Sequence, residues 1–108
     1  KMDDKIITSQ DIINKMTTKY YKTLKFMYDN QVQTREGHFL VPMTQVEIAE
    51  KVVVSKITMN AIIKSLRESK LLYPSLGKRG RYYLTKKANI LIEGIDSIIN
   101  EINKIEEM

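Results

Sequence analysis

The sequence has no cysteine and only one histidine in 108 residues. Without thiols, disulfides and thiolate metal sites are excluded, and a single imidazole leaves too few nitrogen ligands for a metal-sensing centre. The same shortage removes the usual catalytic partnerships. There is no Cys–His pair and no phosphate-loop spacing, and carboxylates cluster only towards the C-terminal end. His38 itself stands in the apolar run His38-Phe39-Leu40-Val41, a setting for a packed or half-exposed side chain. Neither an enzyme nor a cofactor is expected. No apolar run approaches the roughly 18 residues needed to span a bilayer, and no signal-peptide pattern opens the sequence. A cytoplasmic protein with no membrane partner is therefore expected, and the absence of cysteine suits a reducing compartment.

What is present is an ordinary globular composition, 43% hydrophobic, with no internal repeat or low-complexity segment. The length fits one domain over residues 1–108. The formal charge of +5 is unevenly spread. Residues 55–87 hold Lys56, Lys64, Arg67, Lys70, Lys78, Arg79, Arg81, Lys86 and Lys87 against Glu68 alone, whereas residues 88–108 hold Lys104 against five acidic side chains. A basic block inside a folded segment is the electrostatic signature of a phosphate-backbone binder.

Thr8, Ser9 and Asp11 supply a helix start, and Ile13, Met16, Tyr20, Leu24 and Met27 follow at helical spacing, predicting an N-terminal helix over 9–30. Gln31 to Gly37 reads as a polar loop, and 38–41 as a brief edge strand stopped by Pro42. Thr44-Gln45-Val46-Glu47 is a capping box, in which Thr44 accepts from the third backbone N–H and Glu47 reaches back to the cap. Ser55 offers a second N-cap, after which Met59, Ile62, Ile63 and Leu66 recur at i, i+3, i+4 and i+7. Two short helices, each with its own start, form a helix-turn-helix. Leu71-Leu72-Tyr73 and Arg81 to Thr85 read as strands around the basic turn Gly77-Lys78-Arg79-Gly80, and a helix is predicted from Lys86 nearly to the end.

Met43 to Glu50, Ser55-Lys56-Ile57-Thr58-Met59, Leu66 and Leu71-Leu72 together resemble the winged helix-turn-helix superfamily. The match covers about residues 39–87, with the wing at Gly77 to Arg81 ending in Tyr82-Tyr83-Leu84-Thr85. The resemblance implies a mainly α fold with a small β-hairpin wing (α+β), flanked by N- and C-terminal dimerisation helices at 9–30 and 86–107. The sequence departs from the pattern at two places. Val53 stands between the two helices, where glycine is favoured because the backbone turns left-handed, and Lys70 stands where glycine often precedes the Leu-Leu strand. A β-branched residue is a poor choice at positive φ, so a wider or differently shaped turn is expected.

The resemblance implies that the second helix, 55–70, enters a major groove. With Met59, Ile62, Ile63 and Leu66 inward, the other face carries Lys56, Asn60 and Lys64. Asn60 suits adenine, and Lys56 or Lys64 suits guanine or phosphate, while Ile57 and Ala61 are placed to touch a thymine methyl. Thr44, Ser55 and Thr58 are candidates for contacts near the helix starts, where backbone N–H groups also point outward. Lys78, Arg79 and Arg81, followed by Lys86 and Lys87, would hold a minor groove or phosphates. Tyr20-Tyr21 and Tyr82-Tyr83 are explained by core packing and strand alternation rather than by base stacking.

Ala88, Leu91, Ile95, Ile98, Ile102 and Ile105 follow a 3-4-3-4-3 spacing, with Ile92 and Ile99 widening the stripe. This stripe predicts a homodimer whose recognition helices lie about one DNA turn apart. The expected partners are double-stranded DNA and a second copy. Two roles fit, both bacterial and either nucleoid- or plasmid-associated. One is a transcriptional regulator resembling the MarR-, ArsR- or PadR-like dimers. The other is a centromere-binding adaptor like the TubR-like proteins of tubulin-type plasmid or phage partition systems, which would also engage a filament-forming GTPase.

Overall fold

The structure, a computed structural model, describes residues 18–74 and 81–107. Thr18 is extended (φ −94°, ψ 170°) and its hydroxyl oxygen accepts from the N–H of Tyr21 at 3.3 Å, starting helix α1, Lys19–Asp29. The expected helix over 9–30 therefore does not run unbroken through residue 18. Its earlier part, with the Thr8 start, Ile13 and Met16, lies outside the described residues. Asn30 closes α1: its N–H reaches the carbonyls of Phe26 and Met27, and its side-chain amide donates to Phe26 O at 2.8 Å.

The polar segment after α1 is a hairpin rather than a loop. Strand β1, Val32–Gln33, pairs antiparallel with β2, Phe39–Val41. The turn between them closes through Gly37, at φ 87°, whose N–H donates to Thr34 O at 3.0 Å. Because β1 covers one side of β2, the expected edge strand is an interior one. The sheet runs β1-β2-β4-β3, with β3 at Leu72–Pro74 and β4 at Tyr82–Leu84, all neighbours antiparallel. Pro42 is compatible with this because the β2–β4 register ends at Val41↔Tyr82, one residue earlier, so no ladder bond needs its missing N–H. Pro74 sits on the outer strand β3. On the sheet surface Tyr73 stacks on Tyr83 (centroids 5.3 Å apart) and the exposed His38 meets Tyr83 edge-on at 5.6 Å, a cross-strand packing role for the lone histidine.

Between the two hairpins lie α2, Gln45–Val52, and α3, Lys56–Glu68. Both expected caps are present. Thr44 accepts from Glu47 N–H at 3.1 Å while Glu47 accepts from Thr44 N–H at 2.9 Å, and Ser55 accepts from Thr58 N–H at 3.0 Å. The turn between the helices is not widened. Val53 itself adopts the left-handed conformation (φ 64°, ψ 59°), and the N–H groups of Val53 and Val54 close onto Ala49 O. Lys70 does the same at the end of α3, at φ 60°. The departures from glycine thus leave the turn shapes intact and appear as backbone strain instead.

The core joins Leu24 and Met27 of α1, Ile48 of α2, Met59 and Ile62 of α3, Leu72 of β3 and Ile92, all essentially without solvent contact. Each such side chain contributes roughly 1.5–3 kcal/mol on burial. Ile92 comes from α4, Lys86–Glu107, which starts at Thr85. The Thr85 hydroxyl oxygen accepts from Ala88 N–H at 3.2 Å, and its O–H donates to Lys70 O at 2.9 Å, so one side chain links the end of the helix-turn-helix to the start of α4. Nearby, Asn89 is buried. It donates to Thr85 O at 3.0 Å and accepts from the Gln31 side chain at 2.6 Å. Gln31 Oε1, also buried, has no partner among the described residues.

The predicted stripe on α4 is divided. Ala88, Asn89 and Ile92 face the core, whereas Leu91, Ile98 and Ile105 are exposed and Ile95 and Ile102 half-buried. A 3.6-residue helix drifts away from a strict heptad, so the row begun at Ala88 does not stay on the core side. None of the described helices is long and apolar enough to cross a membrane.

Candidate nucleic-acid interface

Helix α3 is fixed on one side by Met59, Ile62, Ile63 and Leu66, all buried. At 100° per residue the direction opposite them passes between Ile57 and Glu68, with Ala61 and Lys64 close beside and Lys56, Asn60 and Arg67 on one flank. All seven are exposed. The expected row Lys56, Asn60 and Lys64 is accessible, but the residues standing furthest out are Ile57 and Glu68. Ile57 is 85% exposed. Thr58 is half-buried and lies at the side of this face.

The caps set the near end of the interface. Ser55 is exposed, and its O–H donates to Thr58 Oγ1 at 2.9 Å while its oxygen accepts the Thr58 N–H. Thr44 is engaged in the capping box of α2, so its oxygen serves the helix first. The box holds the Glu47 carboxyl below its ordinary value, chiefly through the Thr44 backbone N–H and then its side chain.

Two pairings in the site lay beyond the sequence. Gln45, from the first turn of α2, directs its amide to Asn60 Oδ1 at 3.5 Å, bringing a second helix to the exposed face. That pairing depends on the crossing of two helices and leaves no local signal. Arg67 and Lys70 extend the basic surface past Lys64. Lys87, expected beside the wing, instead donates from Nζ to Ser69 O at 3.2 Å, placing its charge at the C-terminal end of α3. Arg81, leading into β4, is exposed, as is Lys86. Lys78 and Arg79 lie outside the described residues. Among the described residues no cluster of His, Cys, Asp or Glu is arranged to hold a metal.

Of the stripe residues, Ile98 (62% exposed) and Ile105 (67%) are uncovered along α4, well removed in sequence from the capped helices and basic hairpin.

Two capped helices, followed by an antiparallel hairpin whose connection is basic, define the winged-helix fold. Solved structures with this fold include a mutant form of MepR from S. aureus, at a TM-score of 0.67 with 20% identity over 92% of this chain and 71% of that one. MepR from S. aureus in complex with DNA gives a TM-score of 0.61 with 23% identity, over 87% of this chain and 73% of that one. The reduced Fe(II) CO-sensing protein of R. rubrum gives 0.53 with 22% identity over 62% of this chain, which spans only 34% of that protein. No family model and no curated protein matches the sequence.

Proposed function

We propose that this protein is a double-stranded DNA-binding transcriptional regulator that works as a homodimer, with α3 in the major groove and the β3–β4 connection as a basic wing. The observation that carries this reading is the exposed face of α3, where Lys56, Ile57, Asn60, Ala61 and Lys64 project from a helix locked by four buried side chains. The likeness to MepR, solved with DNA, supports it. The cations of residues 55–87 supply the phosphate attraction, and the acidic 88–108 segment lies beyond them in sequence. The apolar side chains left uncovered on α4, from Leu91 to Ile105, supply the contact between copies. A cytoplasmic protein without membrane association follows from this role.

The test is duplex binding followed by fluorescence anisotropy across a salt series. About five phosphate contacts per subunit give a log K against log salt slope near −4 to −5 per subunit. Combined Lys56→Ala and Lys64→Ala substitution should weaken binding at least tenfold, and Arg79→Ala should flatten the slope by about 0.9. A slope near zero, or variants indistinguishable from wild type, would refute the reading. A footprint then separates the purposes of binding. A single short palindrome near a promoter marks regulation, and an array of repeats marks segregation.

A further inference from the structure

Gly94 stands in the interior of α4 and is exposed, turned away from Ala88 and Ile92 on the core side. A Cβ at this position would meet nothing within 4 Å, so among the described residues no neighbour calls for glycine. Glycine inside a helix nevertheless costs about 1 kcal/mol relative to alanine. What it offers is a bare patch of backbone that another chain can approach closely.

The residues around Gly94 describe that other chain. Positions three, four and seven away share its side of the helix. Leu91 and Ile98 are exposed and apolar there, with Ile90 (60% exposed) and Ser97 at the margin. Lys87 and Glu101 lie seven residues to either side of the glycine, nearly in line with it, and both are exposed. The face is thus apolar about a bare centre, with a cation at one end and a carboxylate at the other. Such a face complements itself only when reversed. About a two-fold axis at Gly94, an antiparallel second α4 brings the two glycines together and sets Leu91 on Ile98 and Lys87 on Glu101, each twice over. A parallel pair would oppose lysine to lysine and glutamate to glutamate, which is repulsive. Lys87 already donates to Ser69 O at 3.2 Å, and its ammonium keeps two further donors. We infer that two copies meet antiparallel on this face, their α4 helices crossing at Gly94 and held in register by reciprocal Lys87–Glu101 pairs. With glycine at the crossing the axes approach to about 8 Å, the short end for packed helices. This rests on the homodimer reading above and adds to it the crossing point, the direction and the charged contacts.

The chain has no cysteine, so introduced cysteines report single positions. Lys87→Cys and Glu101→Cys variants of the 108-residue chain, both at exposed positions, are treated with a short bismaleimide separately and as an equilibrated mixture. The mixture should yield a covalent dimer and neither variant alone should, because like positions stand about 21 Å apart along the axes. Gly94→Leu should raise the helicity of the monomer and yet weaken dimerisation about tenfold or more by sedimentation equilibrium, opposite effects that a purely structural glycine would not produce. No link in the mixture, a link in either variant alone, or a Gly94→Leu dimer as tight as wild type overturns the crossing, while a wild-type dimer leaves the homodimer reading standing. A wild-type chain that stays monomeric through the micromolar range removes that reading as well. Circular dichroism verifies that the variants are folded.

Discussion

Lys25 Nζ lies 2.7 Å from Asp96 Oδ2 and 3.1 Å from Asp29 Oδ1, so one ammonium group ties the last turns of α1 to the middle of α4. It also stands 5.3 Å from the centre of the Tyr28 ring, whose hydroxyl donates to Glu93 at 3.0 Å. About a third of each side chain of the Lys25–Asp96 pair is exposed, which keeps the pair weak. Asp96→Asn should therefore cost about 0.5 kcal/mol and lower the melting temperature by roughly 2–4 °C. Thermal melts by circular dichroism at low and high salt check this, and an equal loss at both would deny the ion pair its role.

Stability is also sensitive to alkali. Burial opposes the charge on Lys25, but hydrogen bonds to Asp96 and Asp29 outweigh it and raise its pKa. Burial raises Tyr82, and burial followed by the Asp96 charge raises Tyr21. Each group holds its proton more tightly folded than unfolded. Their contribution is complete below the ordinary values of 10.0 for tyrosine and 10.5 for lysine and is lost as pH rises through the higher folded values. Urea midpoints should be level through neutral pH and fall above about pH 10. Tyr82→Phe should make that fall shallower.

At the other end of the scale, Glu47 acts with the opposite sign. Its folded pKa is lowered, so its contribution is present above the ordinary value of 4.5 and lost as pH falls through the folded value. Glu47→Gln keeps an acceptor for the Thr44 N–H but removes the titration, and should flatten urea midpoints between about pH 3 and 5. Thr44→Ala removes the cap itself and should cost about 1 kcal/mol at neutral pH. An unchanged midpoint in Thr44→Ala would mean that the cap contributes nothing.

Both left-handed side chains should be improvable. Val53→Gly and Lys70→Gly each relieve about 1–2 kcal/mol of backbone strain against roughly 0.5–1 kcal/mol of added unfolded-state entropy. A net gain of about 0.5–1 kcal/mol is expected for each, read as a higher urea midpoint.

Ile98→Glu and Ile105→Glu place charge on the uncovered stripe of α4. Sedimentation velocity should show the wild-type chain as a dimer and the double variant as a monomer of unchanged helicity. Wild type sedimenting as a monomer at micromolar concentration would remove the stripe from the assembly.

The helix-turn-helix was legible because its signals are local. Thr44, Glu47 and Ser55 cap within three residues, and Met59, Ile62, Ile63 and Leu66 mark the buried side of α3 by spacing alone. The same periodicity misled at Thr18, since Ile13, Met16, Tyr20, Leu24 and Met27 keep helical spacing across an extended residue. Strand β1 was hidden because two residues carry no alternation, and its existence depends on pairing with Leu40 and Phe39. The charge of Lys87 was visible, but its partner Ser69 is 18 residues away. On α4 the apolar count was right, while the direction in which each residue faces depended on α1 and on Asn89.

Asn89 settles that direction for the whole helix. With its oxygen joined to the Gln31 amide, α4 cannot turn about its own axis without breaking that part-buried hydrogen bond. A slip of one residue would swing every later side chain by about 100°. Ile105 lies 16 positions further on, roughly 24 Å along the axis, and inherits the bearing set at the base. Asn89 is thus the keyway of the shaft. On the proposed homodimer, a change at this buried asparagine would re-aim a surface far from it, altering how the two copies are angled and how far apart their α3 helices stand.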